Sequence, residues 1–175
     1  MPVIQIVGYK NSGKTTLIGK LLEILNAMSL RVAVIKHDVH GFEADRESTD
    51  TFRHRRAGAV ATAITSPWRT AIIEERETKL SGLIKHFEAY DLTIVEGFKK
   101  ESYPKIVLIR DKGDLTLLEE LTEIRAVVFR QEAEECLEND GTGGVVAGSD
   151  IPCHHIDDVE ELAKLIIVSV LSLNS

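Results

Sequence analysis

Cysteine is scarce in this 175-residue chain: Cys136 and Cys153 are the two present. That excludes a disulfide framework and fits a reducing compartment. Long apolar runs are missing too. The best stretch, "LAKLIIVSVLSL" from Leu162 to Leu173, is interrupted by Lys164 and too short to span a bilayer. It reads as a terminal helix packed on a core. The N-terminus lacks a basic segment followed by an apolar core and a small-residue cleavage site, so no secretory signal is expected and the cytoplasm is the expected location. Positive charge is in deficit, with a formal net charge of −7. Bulk electrostatics therefore argue against duplex nucleic acid or an acidic membrane as the main partner. Gln131 to Ala163 holds ten Asp/Glu and no Lys/Arg, which reads as a solvated helix and loop. No repeat, low-complexity tract or linker occurs, so residues 1–175 are expected to form one domain.

What is present is an alternation of apolar strands and helices. Strands are expected over Pro2–Gly8, Arg31–His37, Asp91–Gly97, Lys105–Asp111 and Ala126–Arg130, being β-branched runs bounded by turn residues. After Gly13, Leu17, Leu21, Leu22, Leu25 and Met28 recur at helical spacing. A helix is expected between a Ser48 or Thr49 cap and Gly58, others over Thr78–Tyr90, "LTLLEEL" and Gln131–Asn139, and a last one from Asp157. Ala59–Glu75 reads as two strands around Ser66–Pro67, and "GGVVAGSD" as a last strand or a loop. This pattern predicts an α/β, three-layer fold, a mostly parallel sheet with helices on both faces. Ligands of such sheets bind beyond the carboxyl ends of the strands, which points to the loops after Val7, His37, Val95 and Arg130.

The first of those loops carries the sharpest signal. Gly8-Tyr9-Lys10-Asn11-Ser12-Gly13-Lys14-Thr15 satisfies G-x-x-x-x-G-K-[ST] between a strand and a helix. Gly8 and Gly13 permit backbone angles that a β-carbon opposes. Amides of Asn11, Ser12, Gly13, Lys14, Thr15 and Thr16 can turn inward as a nest for phosphate oxygens at the positive end of the helix. Lys14 is expected to reach the β- and γ-phosphates, and the Thr15 hydroxyl to bind Mg²⁺. The pattern indicates a nucleoside triphosphate site rather than a plain capping turn.

A second element completes such a site. Glu96 ends the apolar strand "LTIVE", 82 positions after Lys14, and an acid there binds Mg²⁺ through water or orients the attacking water. The competing reading pairs Glu96 with a surface lysine such as Lys99. Gly97 would leave room for the γ-phosphate and supply an N–H to it.

The stretch "KHDVHGFEAD" sets Lys36, His37, Asp38, His40 and Asp45 after the second strand, where mobile polar loops often sense phosphate. Asp38 or Asp50 could approach the metal, and each histidine is either a phosphate or metal ligand or part of a solvated loop. Arg53 and Arg56 share a helix face from which Arg55 diverges, so the three cannot serve one site. "PCHH" (Pro152–His155) holds one thiol and two imidazoles, but adjacent residues converge poorly on one ion. No N-K-x-D occurs, so no carboxylate fork for guanine is evident; Asp150 is either a substitute or a turn carboxylate.

Taken together, "GYKNSGKTTL", "VIKHDVHGFEAD" with Asp50 and "RRAGA", "DLTIVEGFK", "PKIVLIRD", "GSDIP" and "DDVEELA" resemble the molybdopterin-guanine dinucleotide biosynthesis adaptor (MobB) family over nearly the full chain. The resemblance implies a P-loop fold of the group containing signal-recognition and metal-centre assembly GTPases. It implies GTP and Mg²⁺ as cofactors, weak hydrolysis, a homodimer, and an accessory role beside the guanylyltransferase MobA, which attaches GMP to molybdenum-loaded molybdopterin. Contact with molybdopterin itself is left open. The phosphate role carries to Gly8 and Asn11 through Thr16, the acid role to Glu96, while His37, His40, Asp45, Asp50 and Arg55 fall on family-like positions. The family often has Gly-Lys before the residue matching Asp50; Ser48-Thr49 stand here, so no lysine role is carried over. Two rival readings use the same loop: a small-molecule kinase with an arginine-held acceptor, which the acidic late chain disfavours, and a metal-delivery GTPase using "PCHH" or His37 and His40.

Overall fold

In the computed structural model, residues 2–130 and 151–171 are described. The expected helix Gln131–Asn139, the stretch "GGVVAGSD", and Asp150 lie outside the described residues. The chain forms two compact units, Met1–His37 with Leu83–Ser175, and Asp38–Gly82.

The first unit is built on a six-stranded sheet of β1 (Val3–Val7), β2 (Val32–Lys36), β5 (Leu92–Glu96), β6 (Lys105–Ile109), β7 (Ile124–Phe129) and β8 (Cys153–His155). Their order is β2-β5-β1-β6-β7-β8, and every pairing is parallel. β1, β5 and β6 are buried along their whole length, which is why they read as continuous apolar runs instead of alternating ones. The sixth strand falls on Cys153–His155 itself: the stretch weighed as a soft metal site is the sheet's edge strand, and successive side chains there alternate between faces.

Helix α1 (Lys14–Ala27) and helix α5 (Val159–Ile166) cover one face, packing Leu17, Ile18, Leu21, Leu25, Leu162 and Ile166 against Ile4, Ile6, Ile94, Ile106 and Leu108. Each such fully buried leucine or isoleucine contributes roughly 1.5–3 kcal/mol over an exposed one. Met28, expected on the inner stripe, is instead exposed at the helix end. Leu117 of the short helix α4 (Thr116–Glu120) packs with Val7, Val107, Ile109 and Val127 on the other face, completing a three-layer α/β P-loop fold. The last expected helix is shorter than its apolar run, because Ile167–Leu171 continues as a π-helical turn.

In the second unit, α2 (Asp50–Arg56) starts at Thr49, whose hydroxyl accepts from the Phe52 amide at 3.2 Å. β3 (Ala61–Ser66) and β4 (Arg69–Glu74) form the expected antiparallel hairpin, with Ser66 opposite Arg69 across the Pro67-Trp68 turn. Helix α3 (Leu80–His86) is shorter at both ends than the stretch predicted for it. Among the described residues, no helix is long and apolar enough to cross a membrane.

Candidate functional site

The carboxyl ends of β1, β2, β5 and β6 bring one group of polar residues together. Gly8 ends β1 where the following turn folds back tightly. A β-carbon there would stand 2.7 Å from Ser12 Oγ and 3.0 Å from the Leu108 carbonyl oxygen, so the turn needs glycine for space. Gly13, at φ +94°, is the cap of α1 and offers it no side-chain hydrogen bond. The first intrahelical donor is the Leu17 amide, to Gly13 O at 2.9 Å. The N–H groups ahead of it have no helical acceptor and form the positive end of a 14-residue helix. The Ser12 amide closes the turn itself, on Tyr9 O at 3.3 Å. Asn11 takes φ +63°, as a turn of inward amides requires.

Lys14 curls over this turn. Its ammonium donates to Tyr9 O at 2.7 Å and Gly8 O at 3.2 Å, and reaches Ser12 Oγ at 3.4 Å. Burial lowers its pKa; Glu96 opposes the shift, and Lys99, Lys36 and Arg110 add to it by repulsion. The loop is thus a place where positive charge is crowded and incompletely neutralised.

Glu96 stands at the end of β5, nearly buried, and accepts from the Thr15 hydroxyl at 3.2 Å and 3.3 Å on its two oxygens. Its ion-pair partner is Lys36, at 3.4 Å, and not the Lys99 weighed from sequence. Lys36 and Glu96 are register partners on adjacent parallel strands, which places both side chains on one face. His37 continues β2 with its amide on Glu96 O at 3.0 Å, and its ring stacks on Phe98 with centroids 4.2 Å apart. Gly97 sits at φ +94°, but its amide donates to Ile6 O at 3.1 Å. The N–H expected for a γ-phosphate is therefore committed to the sheet edge; what the glycine supplies is the turn.

Three residues that pattern reading missed shape the same edge. Gln5, buried in the centre of the sheet, donates its amide to Phe98 O at 2.8 Å and Gly97 O at 3.1 Å and accepts from the Tyr103 amide at 3.3 Å. Lys105, fully buried, donates to Tyr103 O at 2.9 Å and to Glu101 O. Burial pulls its pKa down, with Glu123 and Glu101 opposing. Between them these side chains pin the crossover from Gly97 to Pro104 onto the sheet. Arg110, just past β6, holds the buried Asp114 through two nitrogens, at 2.7 and 2.8 Å, and donates to Lys10 O at 2.9 Å. It therefore braces the phosphate-type turn from outside. The available signal was a polar residue, Gln5 or Lys105, interrupting an otherwise apolar strand; nothing in the sequence pairs Arg110 with Lys10.

The other candidates belong to the second unit. Asp45 Oδ1 accepts from Thr49 Oγ1 at 2.7 Å and from the Arg46 amide at 3.0 Å, and hydrogen bonding from Thr49 and then Thr51 lowers its pKa. Arg55 is enclosed by three carboxylates, Glu43, Asp45 and Glu75, the last at 2.7 Å, and its side chain is only 11% exposed. Its divergence from Arg53 and Arg56 is real, and its charge is spent inside this unit. Asp50 and His40 are exposed; Asp50 pairs with Arg53 at 3.4 Å, and the His40 amide donates to Asp38 at 2.9 Å.

Comparison with known proteins places the chain. The family model described as "Molybdopterin guanine dinucleotide synthesis protein B" matches residues 3–130. A Bacillus subtilis protein named as a probable molybdopterin-guanine dinucleotide biosynthesis adapter is 35% identical over 161 residues, covering 90% of this chain and 87% of that one. The Haemophilus influenzae adapter protein is 38% identical over 146 residues, covering 81% and 80%. The crystal structure of Bacillus subtilis MobB superposes with a TM-score of 0.75 at 28% identity, covering 97% of this chain and 98% of that one. On the sequence motifs, the fold and these matches, the chain belongs to the molybdopterin guanine dinucleotide synthesis protein B family.

Proposed function

We propose that this protein is a guanine-nucleotide-binding adaptor in the biosynthesis of molybdopterin guanine dinucleotide, the pathway its relatives are named for. The observation that carries the nucleotide part is the turn after β1: uncapped helix amides, Lys14 folded onto loop carbonyls, and the Thr15–Glu96 contact at its mouth. Loop amides and Lys14 hold the phosphate chain, and Lys14 neutralises charge on the β- and γ-phosphates.

The donor set at Thr15 and Glu96, a hydroxyl and a carboxylate, is all oxygen and suits Mg²⁺. Held there, the ion would supply neutralisation of phosphate charge. Glu96 holds its position through the Thr15 hydroxyl and the Lys36 ammonium. The preference for GTP, and the cytoplasmic setting, rest on the family.

The partner in this reading is a MobA-type guanylyltransferase. A homodimer is supported by the hairpin, a two-stranded ribbon that leaves Val60, Ile64, Trp68 and Ile72 more than half exposed. Calorimetric affinities for GTP and ATP, with and without purified transferase, test the proposal. GTP preference that strengthens with the transferase is expected, and Lys14→Ala abolishes binding. Equal affinity for GTP and ATP, indifferent to the transferase, refutes it.

A further inference from the structure

Lys99 lies three residues beyond Glu96, on the crossover that Gln5 pins at Gly97 and Phe98. Both of those residues have positive φ, +94° and +52°, and the turn they make is held against the sheet edge by the Gly97 amide on Ile6 O. The Lys99 ammonium comes to rest 3.8 Å from the centroid of the Tyr9 ring, on the residue that follows Gly8.

The surroundings of this ammonium differ from those of its neighbours. Lys36 is paired with Glu96 and Arg110 with Asp114. Lys99 is half-buried, and among the described residues its ammonium rests on the face of an aromatic ring with no ion pair. A ring quadrupole attracts a cation but carries no counter-charge. Burial lowers the lysine's pKa, and Asp114 and Glu120 offset this only through space. Lys14 feels Lys99 as the foremost of the cations that repel it. Two ammonium groups thus converge on one turn, Lys14 on its carbonyls and Lys99 on its Tyr9 ring, neither ion-paired with a carboxylate. That arrangement calls for a ligand bearing several negative charges at this turn.

We propose that Lys99 is a phosphate-reading residue of this site: it rests on Tyr9 in the free protein and moves to the terminal phosphate of a bound nucleoside triphosphate, so that the site tells triphosphate from diphosphate through it. This inference rests on the nucleotide-binding reading above and adds to it the residue that senses the third phosphate.

The test uses the full-length protein with GTP and GDP in the presence of Mg²⁺. Lys99→Gln weakens GTP binding by about tenfold or more, the loss of one charge-assisted contact, and GDP binding by less than about twofold; Lys99→Arg keeps most of the GTP affinity. Retained GDP binding shows that the variant is folded. In wild-type protein carrying biosynthetically ¹³C-labelled lysine, the Lys99 Cε signal is ring-shifted by Tyr9, and GTP but not GDP moves it out of that position. Equal losses for the two nucleotides, unchanged GTP affinity, or a Lys99 signal that stays ring-shifted with GTP bound overturns the inference. Wild-type protein that binds neither nucleotide overturns the nucleotide reading and this inference with it. A wild type that binds both while Lys99→Gln behaves identically overturns this inference alone.

Discussion

The Thr15 hydroxyl and the Glu96 carboxylate meet at 3.2 Å although 81 residues separate them in sequence. One begins the helix after β1 and the other ends β5, and β1 and β5 are hydrogen-bonded neighbours with Ile6 opposite Glu96. The contact therefore follows from strand order, and in the proposed function it is where Mg²⁺ would be held.

Glu96→Gln keeps the side-chain volume and a hydrogen bond from Thr15 while removing the charge. Mg²⁺-dependent strengthening of triphosphate binding is expected to disappear. Affinity measured in EDTA is expected to change little, because the loop amides and Lys14 are untouched. Titrations with and without Mg²⁺ read this directly.

The pH dependence of binding follows from Lys14. Burial holds its pKa below the ordinary 10.5, so the free site disfavours the protonated form. A bound polyanion reverses that and raises the value. Nucleotide binding should then take up protons at alkaline pH below about 10.5, and affinity should fall as pH rises through the lowered free-state value. Across the same window the unfolded chain holds more protons than the folded one, so stability of the free protein rises with pH. Calorimetry in buffers of different ionisation enthalpy measures the proton uptake.

Arg110 and Asp114 form a brace that can be removed from either end. Arg110 hydrogen bonding holds the Asp114 carboxyl below its ordinary range. Its contribution is present above the unfolded value and is lost as pH falls through the folded one, in the acid range. Asp114→Asn should cost about 2 kcal/mol, less than the roughly 3–5 kcal/mol of a fully buried pair because Arg110 reaches solvent. Arg110→Ala should also weaken nucleotide binding, since the Lys10 carbonyl loses its donor. Denaturant unfolding and nucleotide titration of both variants check this.

Gly8→Ala tests the fit of the turn. The added methyl meets Ser12 Oγ at 2.7 Å, which can rotate, and the Leu108 carbonyl at 3.0 Å, which cannot move without the sheet. A destabilisation of roughly 1–3 kcal/mol is expected, together with loss of triphosphate binding as the loop amides shift. Thermal melts and titration separate the two effects.

Much of this was readable in advance. Glycine spacing, the lysine and the hydroxyl residue identify the phosphate-type turn because the chemistry lies within eight consecutive residues. Strand positions were legible to within one or two residues, since β1, β5 and β6 are buried on both faces and are mostly apolar. The hairpin and the Thr49 cap were local signals as well. The edge strand at Cys153–His155 was not, because three residues with a thiol and two imidazoles carry no β-pattern of their own; pairing with β7 makes them a strand.

Partners were the harder matter. Lys99 is nearer to Glu96 in sequence than Lys36 is, yet Lys36 takes the ion pair because β2 lies beside β5. Lys99, turned by two positive-φ residues, goes to Tyr9 instead. Arg55 stood on a family-like position with no partner legible in the sequence, and in the fold Glu43, Asp45 and Glu75 surround it.

By itself, then, the amino-acid order determined which segment can wrap an anion and which segments must be buried, because those properties depend on residues a few positions apart. Tertiary structure alone decided which charges neutralise one another and which are left over for a ligand. Sheet order and register bring side chains together that lie scores of residues apart, and no local pattern records that meeting.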